Sequence, residues 1–329
     1  MKMLFHLVTG LLAAVFVAAA TRPEIARAQT TPLTGEVFVH DPSTIVKCGG
    51  EYWLFATGFG VSSHHSRDLV HWERGPRVFE RAPAWTSEAV PGNRSYFWAP
   101  DVLQTGGRCL LYYSVSQWGK NTSAIGLATN PTLDPTDPTF RWTDAGPVVE
   151  SAATNNFNAI DPNVFADADG RLWLAFGSFW SGIKLVELNP ATGRRIAADS
   201  PIHSLTTNAS IEAAALHRRG GDYFLLVNWG ACCRGTNSTY EIRVGRGKRV
   251  TGPFLDRDGV DLAKGGGTPF LESRGRFIGP GHAAFLNADG AERMSYHYYD
   301  GANRGRATLG ILPLRWNEDG WPEAAPAGK

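Results

Sequence analysis

The chain has 329 residues with 32 basic and 31 acidic side chains, a formal net charge of +1. That balance, with no basic block, gives no electrostatic basis for holding nucleic acid. Four cysteines are few for a disulfide-built scaffold of this size, whereas 37 glycines and 11 tryptophans suit tight turns and aromatic platforms.

At the N-terminus Lys2 precedes an apolar run from Leu4 to Ala20, and Ala26-Arg27-Ala28 fits a small-residue cleavage site. The pattern predicts a signal peptide over residues 1–28 and a secreted or periplasmic protein with no membrane attachment after cleavage. An uncleaved anchor is the alternative, for which the run is short. Residues 29–329 are then expected to form a single domain, monomeric, and loss of Lys2, Arg22, Glu24 and Arg27 turns the net charge of +1 into −1.

Downstream, one hairpin pattern recurs five times. The first runs from Asp41-Pro42-Ser43-Thr44-Ile45-Val46 through the turn Gly49-Gly50 to Tyr52-Trp53-Leu54-Phe55. The second runs from Phe97-Trp98-Ala99-Pro100-Asp101-Val102 to Gly106-Gly107, and the third from Ile160-Asp161-Pro162-Asn163 through Asp169-Gly170 to Leu172-Trp173-Leu174-Ala175-Phe176. The fourth takes Ser210-Ile211-Glu212-Ala213 to Gly220-Gly221, and the fifth Gly279-Pro280-Gly281-His282 to Asp289-Gly290. Strand alternation and turn residues dominate, without a convincing amphipathic helix. Steps of 57, 63, 51 and 70 residues between corresponding positions are too irregular for a solenoid and suit four-stranded blades with unequal loops. Radial repetition leaves only short, protected sheet edges. The expected fold is all-β, a five-bladed β-propeller, with Leu33 to Val39 completing the last blade and closing the ring.

Asp41, Asp161 and Glu212 each lie eight residues before the turn of their repeat, and Trp98 holds that place in the second. His282 is seven residues ahead of its turn, so the fifth repeat is one position off or turns earlier. Equivalent places in a ring of repeats share one end of it, so the three acids should meet at one mouth. Asp101, only five residues before its turn, should point elsewhere and serve the structure. Two carboxyl groups on opposite sides of a bond are what glycoside hydrolysis needs: one protonates the leaving oxygen while the other activates water or attacks the sugar. Asp41 and Glu212 sit on the first and fourth repeats, across the funnel, which favours the wide separation of an inverting enzyme. Asp161, on the neighbouring third repeat, can disfavour ionisation of Glu212 by like charge. The expected roles are Asp41 as general base, Glu212 as general acid and Asp161 as modulator. Trp98 is either a sugar platform or a core residue; His282 could hold a cation or be an ordinary hydrogen-bonded histidine.

The remaining motifs carry less. Asp167-Ala168-Asp169-Gly170 opens like a calcium loop but lacks the downstream glutamate, and a hairpin turn explains it. His64, His65 and His71 lack the helical metalloprotease spacing. Cys48 and Cys109 could bridge adjacent repeats, and Cys232-Cys233 is either a vicinal disulfide or two free thiols.

At these motifs the chain resembles glycoside hydrolase family 43, within it the arabinanases, over about residues 36 to 318. The resemblance rests on His40-Asp41-Pro42-Ser43, Trp98-Ala99-Pro100-Asp101-Val102, Gly119-Lys120-Asn121-Thr122-Ser123, Asn158-Ala159-Ile160-Asp161-Pro162-Asn163, Gly177-Ser178-Phe179-Trp180-Ser181-Gly182, Ser210-Ile211-Glu212-Ala213, Cys232-Cys233-Arg234-Gly235, Ser238-Thr239-Tyr240 and Gly279-Pro280-Gly281-His282. It implies inverting cleavage of α-1,5-linked L-arabinofuranosyl chains in arabinan or arabino-oligosaccharides, with endo action expected. Exo-acting arabinofuranosidase or β-xylosidase activity is the alternative within the family, and a non-catalytic arabinan-binding propeller the alternative from another class. The resemblance also implies a hydrated calcium ion near the axis with His282 as its protein contact, and sugar subsites lined by Trp98, Gly119, Asn158, Ser178 and Trp180. Ala214, where proline is frequent, and Gln117-Trp118 before Gly119 depart from the family pattern, which bears on substrate length. The Arg-Asp-Pro motif of fructan-cleaving propellers is replaced here by Ile160-Asp161-Pro162.

Overall fold

A computed structural model describes residues 32–324. The predicted signal peptide and its cleavage site lie outside the described residues. The described strands form five sheets, three of four strands and two of five, arranged as the blades of a β-propeller. Each of blades two to five steps outward from its own first strand by antiparallel hairpins, and in blade two Gly58–Phe59 adds a short strand on the other side of Tyr96–Thr105. Blade three, for instance, is Asn163–Ala166, Leu172–Phe176, Ile183–Leu188 and His203–Thr206. Blade four is Ile211–Arg219, Asp222–Trp229, Glu241–Gly247 and Thr268–Leu271, and blade five Phe277–Ala288, Ala291–Asp300, Arg306–Trp316 and Pro322–Ala324. The one α-helix among the described residues, Trp85–Ala89, is a single short turn beside blade two.

The second strands are buried over most of their length, and Leu172–Phe176 over all of it. Blades cover them on both faces, which is why they read as unbroken apolar and aromatic runs. Clusters fill each gap: Phe55, Phe97 and Tyr113 between blades one and two, Tyr112, Leu127, Leu174 and Phe176 between two and three. Each such side chain contributes about 1.5–3 kcal/mol by leaving water, so side-chain packing joins the blades.

Ring closure differs from expectation. Blade five supplies all four of its own strands, and Thr34–Gly35 instead pairs in parallel with His71–Arg74 on the outer edge of blade one. Only one backbone bond from this segment crosses to blade five, Leu309 N–H to the Val37 carbonyl (2.8 Å). The rest of that seam combines packing of Val39, Tyr52 and Leu54 against Leu286 and Leu309 with side-chain hydrogen bonds such as Tyr52 Oη to Asp289 Oδ2 (2.9 Å) and Ser295 Oγ to the Ser43 carbonyl (3.3 Å).

Asp101 is structural, as its offset suggested. Its Oδ1 accepts the Thr44 N–H (2.8 Å), and its Oδ2 accepts Asn163 Nδ2 (2.9 Å) and the Val164 N–H (2.8 Å). Asn163 Oδ1 in turn accepts the Leu216 N–H (2.8 Å), so one carboxylate and one amide pin the first strands of four blades together. Burial pushes the Asp101 pKa up to about 6, opposed by those donors.

Candidate active site

Every first strand bulges where it reaches the axis. His40, Trp98, Ile160, Glu212 and Gly281 face Thr57, Ser114, Gly177, Asn228 and His297 on the second strands. The residue that follows, Asp41, Ala99, Asp161, Ala213 or His282, turns left-handed in every blade, with φ of 52°, 41°, 58°, 54° and 56°. Non-glycine residues hold that conformation only where their surroundings fix it.

The fixing is done by a ring of hydrogen bonds passed from blade to blade. Thr57 Oγ1 accepts the Ala99 N–H (2.8 Å), Ser114 Oγ that of Asp161 (3.0 Å), Asn228 Oδ1 that of His282 (2.9 Å) and His297 Nδ1 that of Asp41 (3.1 Å). Blade three breaks the series because its acceptor position is Gly177, at φ 130°, where an added Cβ would collide with the Gly182 carbonyl. The Ala213 N–H is therefore left for the Asp161 carboxylate.

This register corrects one expectation. Asp41, Asp161 and His282 are equivalent, whereas Glu212 stands one residue earlier, equivalent to His40 and Trp98. Counting back from the turns misplaced it because blades one and three carry one more residue between this point and the turn. All three acids still converge on the mouth, as their mutual electrostatic influence shows.

Their protonation states differ. Asp41 Oδ2 accepts Thr57 Oγ1 (2.6 Å) and lies 2.8 Å from His40 Nδ1, while Oδ1 is 3.6 Å from His282 Nδ1 and 3.7 Å from His297 Nδ1. Burial opposes its charge, but His40, whose own pKa is raised by Asp41 against its burial, holds the carboxyl well below the usual carboxylate range. Glu212 is 8% exposed. Its Oε2 accepts Ser178 Oγ (2.7 Å) and its Oε1 the Tyr240 hydroxyl, which packs close only because Gly281 leaves room for the ring. Burial, helped by the charge of Asp41, raises its pKa to about 7 against the Ser178 hydrogen bond. Asp161 is raised as well, by burial and then by Glu212 and Asp41. One ionised carboxylate thus faces two carboxyl groups whose charges compete, the division needed for one base and one acid.

Of the histidines, two are committed. His297 Nδ1 accepts a backbone N–H, and His40 Nε2 lies 2.8 Å from the Tyr299 hydroxyl with its ring stacked on His297 at 4.2 Å. His282 is buried, and burial lowers its pKa, so the ring is a neutral donor. Among the described residues no hydrogen bond engages either of its ring nitrogens. A neutral imidazole beside a carboxylate fits a cation that keeps most of its shell as water, since calcium takes 6–8 oxygen ligands and one histidine cannot supply them.

The expected sugar contacts are dispersed. Trp98 is half-buried, Gly119 exposed beside Trp118 (75% exposed), and Trp180 (45% exposed) sits at the mouth next to Phe179. Asn158 is buried with its Oδ1 unpaired. Ser178 is buried against Glu212, so what it touches is the acid. Cys48 and Cys109 are free thiols, correcting the possible bridge: Cys48 Sγ accepts the Leu133 N–H (3.3 Å), and Cys109 is buried, which raises its pKa to about 12. Cys232 and Cys233 form the vicinal disulfide.

Sequence reasoning did not single out Thr57, Asn228, His297, His40, Tyr240 or Tyr299. A signal existed for three of them. Thr57, Ser114, Gly177, Asn228 and His297 each follow the second turn residue (Gly50, Gly107, Gly170, Gly221, Gly290) by seven positions.

A five-bladed propeller gathering three buried carboxyl groups at the axis, one held towards its ionised form and two pushed towards the protonated one, is an arrangement suited to glycoside hydrolysis. The profile described as "Glycosyl hydrolases family 43" matches residues 32–322, and the chain belongs to that family. It is 41% identical over 302 residues to an extracellular exo-α-(1→5)-L-arabinofuranosidase of Cellvibrio japonicus, covering 88% of this chain and 86% of that one. It is 39% identical over 289 residues to an extracellular endo-α-(1→5)-L-arabinanase of Bacillus subtilis, covering 86% and 87%. Among solved structures, Cellvibrio cellulosa α-L-arabinanase complexed with arabinohexaose matches at a TM-score of 0.84 and 40% identity, over 88% of this chain and 96% of that one.

Proposed function

We propose that the protein is an inverting arabinan hydrolase that cleaves α-1,5-L-arabinofuranosidic bonds, with endo action. The observation that carries this is the placing of Asp41, bonded to Thr57 and His40, and of Glu212, buried against Ser178 and Tyr240, on non-adjacent blades of one mouth. Asp41 takes a proton from water as the water oxygen bonds to the anomeric carbon. Glu212 gives its proton to the departing glycosidic oxygen as that carbon–oxygen bond breaks, and solvent resets both groups. Asp161, beside Glu212 and held by the Ala213 N–H, competes with it for charge and keeps a proton on the pair near neutrality. Ser178 and Tyr240 orient the Glu212 carboxyl; Trp98 and Trp180 offer ring faces to the sugar, with Gly119 and Asn158 beside them. The names of the Cellvibrio and Bacillus relatives support the linkage.

A hydrated calcium ion would be held at His282 beside Asp41, and when bound it supplies positive charge that favours ionised carboxylates. The leader-like N-terminus and the extracellular relatives support secretion. The test is proton NMR of the first product from linear α-1,5-arabinan: the inverted anomer is expected, and a retained anomer at early time refutes the mechanism. A ladder of oligosaccharides from the same digest marks endo cleavage; a single short product from the outset would make the enzyme exo-acting.

A further inference from the structure

We propose that the vicinal disulfide Cys232–Cys233 and Tyr299 are positioning residues that aim His40 at Asp41, an inference that rests on Asp41 being the general base.

The Cys233 N–H donates to the Tyr299 hydroxyl (2.7 Å), and that hydroxyl lies 2.8 Å from His40 Nε2. His40 Nδ1, on the other side of the ring, is 2.8 Å from Asp41 Oδ2. A backbone N–H can only donate. Tyr299 therefore accepts from Cys233 and has a proton to offer Nε2 of a neutral His40, whose own proton then lies on Nδ1; a doubly protonated His40 donates Nε2–H to the same oxygen instead. That form carries a proton on Nδ1 as well. In either state the ring presents an N–H to Asp41, leaving the second carboxylate oxygen for water.

The start of this chain is unusual. Cys233 is exposed, yet its backbone is left-handed (φ 66°) and its Sγ lies 3.7 Å from His40 Nε2. The ring that a disulfide closes between adjacent residues restrains the peptide whose N–H is aimed at Tyr299. The loop is otherwise tied at Thr239 and Ser238, through Ala231 N–H to Thr239 Oγ1 (3.0 Å) and Arg234 N–H to Ser238 Oγ (3.0 Å). Neither tie fixes the Cys233 peptide plane. The chain has four cysteines and the other two are thiols, so a reductant has one target.

The test compares wild type, Tyr299→Phe and the double variant Cys232→Ser/Cys233→Ser on linear arabino-oligosaccharides. Wild type is also assayed after dithiothreitol, which closes to its own cyclic disulfide as the two thiols form. Turnover by untreated wild type verifies the reaction independently. Tyr299→Phe and reduced wild type are expected to lose about tenfold in kcat, one hydrogen bond's worth, with KM within about twofold. The loss should persist on an aryl arabinofuranoside with a good leaving group, because water activation is still required there, and reoxidation should restore the reduced enzyme. Unchanged kcat in Tyr299→Phe overturns the proposal. So does a raised KM at constant kcat on reduction, which would make the disulfide a sugar contact. If the double variant does not fold, Tyr299→Phe and the reversible reduction decide the matter alone.

Discussion

Replacing Ser178 by alanine should widen the pH range of the enzyme upward. Ser178 donates to Glu212 Oε2 at 2.7 Å, deep enough that solvent does not replace the bond. A hydrogen bond to a charged acceptor is worth about 1.5–3 kcal/mol, and about 1.36 kcal/mol corresponds to one pKa unit. The bond favours the carboxylate, so its loss should raise the Glu212 pKa from about 7 by about one to two units. In its proposed role as general acid Glu212 must be protonated, and a higher pKa keeps that proton to higher pH. The basic limb of kcat/KM, which reports the free enzyme, should move up by the same amount while the acidic limb stays. Because Asp161 shares the titration, the limb belongs to the pair; the direction of the shift is the decisive reading. Initial rates on arabinotriose across the pH range would measure it. A limb that stays in place while KM rises would make Ser178 a sugar contact, and a limb that moves down would reverse the assigned protonation of Glu212.

Glu212→Ala and Asp41→Ala should each cost on the order of 10²–10⁴ in rate, with circular dichroism unchanged. An aryl substrate with a good leaving group should restore activity to Glu212→Ala only, and equal rescue would exchange the two roles. Asp101→Ala leaves the Thr44 and Val164 N–H groups buried without an acceptor and should lower stability by about 2–4 kcal/mol in denaturant titration; an unchanged midpoint would mean that the strand starts are held by packing alone. His282→Ala should sharply reduce activity, and chelation should do so in part with calcium restoring it. Near-full activity together with no ion in metal analysis would make His282 structural.

The blades were legible because each hairpin advertises its turn and its aromatic second strand, and solvent exclusion on both faces leaves no other reading of such runs. The acids were legible for the same reason. What escaped was anything decided between blades. Counting from the turn could not see the additional residue in blades one and three, so Glu212 was placed level with Asp41 although it sits one step before it. Thr57, Asn228 and His297 are single polar residues at strand ends, meaningful only once each is seen to cap the next blade. Tyr240 and Tyr299 look like ordinary strand aromatics until the fold brings their hydroxyls to Glu212 and His40. The closing segment was misjudged because Leu33 to Val39 reads as a strand in either place, and only the complete fourth strand Pro322–Ala324 excludes it from blade five.

That missing strand exchange has a thermal consequence. A ring sealed without a shared strand is held between its first and last blades by side chains alone apart from one backbone bond, and that joint is where heat would part it. On one lip stands Asp41; on the other stand His282 and His297, whose imidazole takes the Asp41 N–H. Parting the lips by a few ångströms would leave most of the β-structure intact while releasing the Asp41 N–H from His297 and His40 from Tyr299. Heat should therefore silence the enzyme before it melts the fold, and a covalent clasp across that joint should bring the two temperatures together.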